Sequence, residues 1–209
     1  MKKIGKFHVL TDTDLQKKFS HSELAAMAIK GGADTIQFRQ KEGSTRELIE
    51  IASMMKNICA KEGVPLIIND RIDISIAVDA DGVHLGQDDF PVSLAREILG
   101  EDKIIGGSAG DLEEAKKCLV EGADYIGFGP VYTTASKEDA GPATGILKMK
   151  RVIDEIHLPF IGIGGIEAKN VRELMEAGVH GIAVISAVCC RENPELAARE
   201  IREAMERGV

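Results

Sequence analysis

Short runs rich in Val and Ile alternate along the chain with longer segments in which apolar or small residues recur every three or four positions and charges fill the rest. The short runs read as buried β-strands and the long ones as amphipathic helices. Their alternation predicts a parallel sheet with crossover helices. Eight strands are predicted: FHVLT at 7–11, TIQFR at 35–39, PLIIN at 65–69, GVHLG at 82–86, IIGGS at 104–108, YIGFG at 125–129, PFIGIG at 159–164 and GIAVIS at 181–186. Segments such as SELAAMAIKGG and TRELIEIASMMKNICAKEG supply helices, with stops at Gly31, Gly63, Gly100, Gly122 and Gly178. The phrases GGADTIQF, DADGVHLG, EGADYIGF and AGVHGIAV form a weak internal repeat, each a helix end turning into a strand. Eight βα units in 209 residues predict a single-domain (β/α)8 TIM barrel over residues 1–209. A doubly wound open sheet is the rival, because periodicity does not show closure.

Composition narrows the ligand. A net charge of -8, with two Tyr, six Phe and no Trp, argues against a nucleic-acid surface and favours a small molecule. The start, MKKIGKFHVLTD, lacks the apolar core of a signal peptide, and no apolar run approaches the roughly 20 residues that span a bilayer. Cys59, Cys118, Cys189 and Cys190 have neither metal nor disulfide-framework spacing. They read as core thiols of a cytoplasmic protein.

The polar and glycine-rich departures cluster at the C-terminal ends of the predicted strands, which in a barrel form one mouth. Gln37, Arg39 and Lys41 occupy alternate positions and so share a face. A planar guanidinium and a mobile ammonium side by side suit a polyanion such as a diphosphate; a salt-bridged barrel layer is the structural alternative. Asp70 and the pair Asp88 and Asp89 follow at the ends of the next two strands. One or two carboxylates beside phosphate-binding cations are what Mg2+ accepts, while helix capping would also account for an Asp at each place.

The loop GFGPVYTTASKEDAGPATG after strand six is long enough to be functional and carries Thr133, Thr134, Ser136 and Lys137. The motifs GIGGI and VISAV after it fall where many barrels cradle a phosphate on backbone N–H groups, and Gly164 and Gly165 permit close approach. The five histidines, His8, His21, His84, His157 and His180, read as structural or surface residues, with none expected at the mouth beside a serine or carboxylate. No hydrolase triad or zinc spacing is present.

QFRQK, IIND followed by DADGVHLGQDD, the serine after strand five, GFGPVYTTASK, GIGGI and VISAV occur in this order in a chain that resembles the thiamin phosphate synthase (thiamine-phosphate pyrophosphorylase) family over nearly its whole length. The resemblance implies a Mg2+-dependent transferase. In it a hydroxymethylpyrimidine diphosphate loses pyrophosphate, and the nitrogen of a hydroxyethylthiazole phosphate attacks the exocyclic methylene to give thiamine phosphate. Carried over by position, Gln37, Phe38, Arg39, Gln40 and Lys41, with Asn69, Ser108 and Lys137, match the pyrimidine diphosphate site. Arg39, Lys41, Ser108 and Lys137 take the catalytic roles. Asp70 and Asp89 match the magnesium ligands, and Thr134, Ala135, Ser136, Gly165, Ile185 and Ser186 match the thiazole phosphate site. Family members often carry a histidine shortly after the strand-five serine, where this chain has Ala109 and Gly110, and a proline where it has Thr133. The first departure speaks against a related thiazole tautomerase. That isomerase and a non-catalytic barrel that binds thiamine precursors are the alternatives, and association into a homo-oligomer stays open.

Overall fold

The computed structural model of the chain describes residues 2–136 and 141–207. In chain order the elements are β1 (Phe7–Thr11), α1 (His21–Lys30), β2 (Thr35–Phe38), α2 (Thr45–Glu62), β3 (Leu66–Asn69), α3 (Ile72–Ala77), β4 (Gly82–Leu85), α4 (Val92–Leu99), β5 (Ile104–Ala109), α5 (Leu112–Val120), β6 (Tyr125–Phe128), α6 (Ile146–Glu155), β7 (Phe160–Ile163), α7 (Val171–Glu176), β8 (Gly181–Val184), α8 (Ser186–Cys189) and α9 (Pro194–Glu206). The strands pair in sequence order, all parallel, and β8 returns to β1 through Phe7–Ile182, His8–Ala183 and Val9–Val184. The sheet is therefore a closed barrel, and the open-sheet alternative is excluded. All eight predicted strands are present, most of them trimmed by a residue or two at their ends.

Local sequence explains the helix starts. Ser20 and Ser44 each cap a helix reciprocally with a glutamate three residues on: the serine Oγ accepts from the backbone N–H of Glu23 or Glu47, whose carboxylate accepts from the serine backbone N–H. Asp111 and Asn193 accept from the backbone N–H groups of Glu114 and Leu196 to cap α5 and α9.

Strand alternation divides the protein into two apolar layers. One face of each strand, including Phe7, Val9, Ile36, Phe38, Leu66, Ile68, Val83 and Leu85, packs against the helices in the larger core. Inside the barrel a smaller cluster holds Leu10, Tyr125, Ile161, Ala183 and Ile185. Around it stand polar groups, among them His8, Gln37, His84 and Ser108, which line an interior cavity of about 20 Å3. Cys59, Cys118 and Cys189 are buried as expected of core thiols, whereas Cys190 is exposed, because α8 ends there at the surface. Among the described residues no helix is long and apolar enough to cross a membrane.

At the base of the barrel, His8 is fully buried with its Nε2 3.1 Å from the Gly5 carbonyl. Burial pushes its pKa down from 6.5 to about 4, against the smaller upward pull of the Gly5 hydrogen bond and Asp34. The folded chain thus keeps His8 neutral where the unfolded chain would protonate it. Its contribution to stability is complete above pH 6.5 and is lost as pH falls from there toward 4, amounting to roughly 3 kcal/mol. Urea unfolding at steps across this window should show wild type losing stability on acidification, and His8→Gln, which keeps a donor but does not titrate, losing distinctly less. An equal slope in both would show that other groups control the acid limb.

Candidate active site

The C-terminal ends of the strands open into a cleft of about 560 Å3, within the range of small-molecule sites. Arg39, Lys41, Asn69, Asp70, Asp89, Ser108, Thr134, Ser136, Gly165, Ile185 and Ser186 all line it. The fold thus gathers most of the expected site from six strand ends and the loop after β6. Four expected residues fall elsewhere. Gln37 points into the barrel below the cleft and lines the small interior cavity. Phe38 faces the helix layer, edge-on to His21. Both placements follow from the alternation of β2, in which Phe38 must face away from its neighbours. The Gln40 amide is turned aside, with Oε1 2.8 Å from His21 Nε2 and Nε2 donating to the Glu42 carbonyl. Ala135 does not line the cleft, although Thr134 and Ser136 on either side do. Lys137 lies outside the described residues.

Arg39 is 6% exposed and its guanidinium is paired with the carboxylate of Asp12, itself fully buried at the end of β1. The other Asp12 oxygen accepts the backbone N–H groups of Asp14 and Leu15 at 2.9 and 3.1 Å. Asp12 is thus an anchor fixed by its own loop, and it holds the guanidinium at the rim of the cleft. The two readings of Arg39 merge: it belongs to a salt-bridged barrel layer and it also borders the cleft. Lys41 lies past the strand end and is exposed.

Neither Asp70 nor Asp89 caps the helix that follows it. The cap positions of α3 and α4 are Arg71 and Pro91, and neither makes a side-chain cap bond. Asp89 Oδ2 instead accepts the Gly86 N–H at 2.7 Å, which folds the β4–α4 loop back on itself. Asp70 has a positive φ of 63°, a conformation uncommon outside glycine and frequent at functional sites. Among the described residues no group of three or more His, Cys, Asp or Glu forms a protein-only metal cage. A two-carboxylate set of hard oxygens is nonetheless what Mg2+ uses when phosphate and water complete its shell.

On the opposite rim, Gly164 and Gly165 have φ of 97° and 64°. A Cβ at Gly164 would lie 2.5 Å from Pro130 Cβ, and one at Gly165 would lie 2.6 Å from the Thr133 carbonyl oxygen. The glycine pair therefore admits the loop after β6, whose Val131 and Tyr132 N–H groups donate to Ile163 and Gly164. That docking carries Ser136 to within 2.8 Å of Ser186, oxygen to oxygen, at the start of α8.

Among the residues at or beside the cleft to which the sequence reading gave no role are Asp12, Lys148 and His84. Asp12 was visible as an acid ending β1, next to the strand that carries Arg39. Lys148, from the first turn of α6, lines the cleft although helical periodicity gives it the look of a solvated lysine. His84 corrects the expectation that no histidine stands at the mouth beside a serine: it lines the cleft, with Nε2 3.0 Å from Ser108 Oγ and Nδ1 3.0 Å from the Tyr125 hydroxyl. The alternation of β4 was the available signal, since it turns His84 inward.

A closed parallel barrel with a cleft at its C-terminal mouth, bordered by both cationic and acidic side chains, has the architecture of the (β/α)8 enzymes. Residues 7–188 match the family model described as thiamine monophosphate synthase, so the chain belongs to that family. It is 49% identical over 205 residues to a thiamine-phosphate synthase of Salinibacter ruber, covering 98% of this chain and 90% of that one. It is 46% identical over 195 residues to one from Methanocella arvoryzae, covering 93% and 92%. The structure superposes on a thiamine phosphate pyrophosphorylase from Pyrococcus furiosus with a TM-score of 0.90 and 38% identity, covering 98% and 96% of the two chains.

Removing Asp12 strands a buried guanidinium, so Asp12→Ala should lower unfolding stability by about 3 kcal/mol or more. Changing Arg39 to Met in the same chain should recover part of that loss, because the uncompensated charge goes with it. Chemical denaturation of the single and double variants checks both, and a double variant no more stable than D12A would contradict the ion-pair account.

Proposed function

We propose that the chain is a transferase of thiamine biosynthesis that joins hydroxymethylpyrimidine diphosphate to hydroxyethylthiazole phosphate, forming thiamine phosphate and releasing pyrophosphate. The observation that carries this reading, beside family membership, is that one cleft is bordered by two differently built anion-suited regions. Arg39 and Lys41 provide cations on the β2 side, while Gly165, Ser136 and Ser186 provide backbone and hydroxyl groups on the β7–β8 side. Two phosphate-bearing substrates require two such regions, and a single monophosphate ligand would not.

Negative charge grows on the pyrophosphate as its bond to the pyrimidine methylene breaks. Arg39, held by Asp12, and Lys41 stabilise that charge as preorganised cations. Lys137 joins them by its place in the family pattern. The thiazole phosphate, held across the cleft, brings its ring nitrogen to the methylene, so the chain's main service is to hold two reactants in one orientation. No side-chain nucleophile is needed, since nitrogen attack and pyrophosphate departure balance the reaction. Mg2+ is assigned to Asp70 and Asp89, whose oxygen donors fit it and which serve neither helix as a cap. When bound, the ion would offset charge on the diphosphate.

Mixing the purified chain with both phosphorylated precursors and Mg2+ should yield thiamine phosphate and pyrophosphate in equal amounts. No product from this pair would end the synthase reading. Asp70→Ala and Asp89→Ala should each raise the magnesium concentration needed for half-maximal turnover while leaving the thermal midpoint close to wild type; wild-type turnover by both variants at limiting magnesium would remove the metal assignment.

For the diphosphate, titration calorimetry with magnesium present should show Arg39→Ala and Lys41→Ala weakening the binding of the pyrimidine diphosphate. Arg39→Lys should fall well short of wild type, because an ammonium cannot engage Asp12 and two phosphate oxygens with one planar fork. Unchanged affinity in both alanine variants would separate the cations from the diphosphate.

A further inference from the structure

His84, Tyr125 and Ser108 form a hydrogen-bonded chain that the barrel is shaped to admit. In the strand register His84 lies beside Gly106, and Gly106 lies beside Tyr125, so the three positions stand in one row across β4, β5 and β6. A Cβ at Gly106 would come within 2.2 Å of Tyr125 Cζ and 2.5 Å of His84 Nδ1. Glycine at the middle of the row therefore lets the imidazole and the phenol reach each other over β5. Gly127, paired with Ser108, does the same one step higher, since its Cβ would lie 2.7 Å from His84 Cε1. Two glycines thus clear a slot for one imidazole, in a barrel interior where branched apolar side chains would otherwise pack.

The direction of the hydrogen bonds follows from what each atom can do. Tyr125 is 1% exposed, and among the described residues His84 Nδ1 is the one hydrogen-bond partner of its hydroxyl. Burial holds the phenol above its ordinary pKa, so it keeps its proton. A buried O–H that accepted from Nδ1 would leave that proton without an acceptor, the more costly arrangement. Tyr125 therefore donates to Nδ1. A neutral imidazole whose Nδ1 lone pair is engaged carries its proton on Nε2, and Nε2–H then donates to Ser108 Oγ at 3.0 Å. With that oxygen already accepting, the Ser108 hydroxyl proton is left for an acceptor in the cleft.

We propose that Tyr125 is a positioning residue which, through the tautomer of His84, fixes Ser108 as a hydrogen-bond donor to the bound substrate. Ser108 is then a one-way donor, since among the described residues the one hydrogen-bond partner of its Oγ is His84 Nε2, which donates to it. The kinetic consequence rests on the synthase reading given above, whereas the direction of the hydrogen bonds does not.

Two measurements test it. In 15N-detected histidine NMR of the free protein near pH 8, His84 should show a protonated Nε2 and a lone-pair-bearing Nδ1. A proton on Nδ1, alone or together with Nε2, would overturn the proposal. This arm needs neither variant nor substrate, so it fails independently of the assigned reaction. For the second arm, Tyr125→Phe should lower kcat roughly tenfold through misorientation, with KM changed much less. Introduced into Ser108→Ala, the same change should cost almost nothing further, because Tyr125 has no other route to the substrate. Costs that add in the double variant would show that Tyr125 acts through general packing and would overturn the positioning role.

Discussion

Closure of the sheet is the constraint on which the rest depends. Three backbone pairs between β1 and β8 bring together strands separated by most of the chain. Without them Ser186 at the end of β8 and Arg39 at the end of β2 would stand at opposite ends of an open sheet. With them, the two are separated by one intervening strand around a common mouth, and a cleft suited to two phosphorylated molecules exists. Closure also explains why a lean chain suffices. Each strand needs to present only one or two functional groups at its end, because eight ends share one rim.

That economy has a cost inside the barrel, where polar side chains displace apolar packing. Two of these groups are offset by partners from other strands, whereas the buried Gln37 Oε1 has no hydrogen-bond partner among the described residues. The Arg39 guanidinium is matched by Asp12 from β1's end, and His84 on β4 is matched by Tyr125 on β6 and Ser108 on β5. A buried charge or imidazole held on two sides has little freedom left, so the partners that make burial tolerable also orient the groups at the cleft. Stability and orientation are then supplied by the same bonds. The Asp12 and Tyr125 substitutions accordingly differ in what they disturb: the first leaves a charge unpaired, the second only releases a tautomer.

The fold was legible because parallel strands buried on both faces write short Val- and Ile-rich runs, and helix stops write glycines. The mouth was legible because strand-end residues have no packing reason to be Asn, Asp or Ser. Closure was not, since hydrophobic period is the same in open and closed sheets. Phe38 and Gln40 were carried with their neighbours as a contiguous stretch, yet alternation sends adjacent side chains to opposite faces. His84 was passed over because its partners, Ser108 and Tyr125, are 24 and 41 residues away, and only register brings them together. The role of Asp12 was hidden for the same reason, its partner being 27 residues distant. Lys148 looked like any solvated helix lysine, because a helix's polar face does not reveal which part of it overlooks a cleft.

The glycines separate into two kinds of constraint. Gly164 and Gly165 combine positive φ with contacts from the loop after β6, so that loop is seated by backbone shape and by the Val131 and Tyr132 N–H bonds. Gly106 and Gly127 lie within or beside paired strand and are needed for the volume a side chain would take. The first pair seats the loop after β6 at the rim of the cleft, and the second clears the barrel interior for the His84 chain. Thr133 lies in the seated loop, where its carbonyl oxygen leaves no room for a Cβ at Gly165. Backbone contacts made by Val131, Tyr132 and Thr133 fix the loop's entry, and beyond them Ser136 Oγ lies 2.8 Å from Ser186 Oγ.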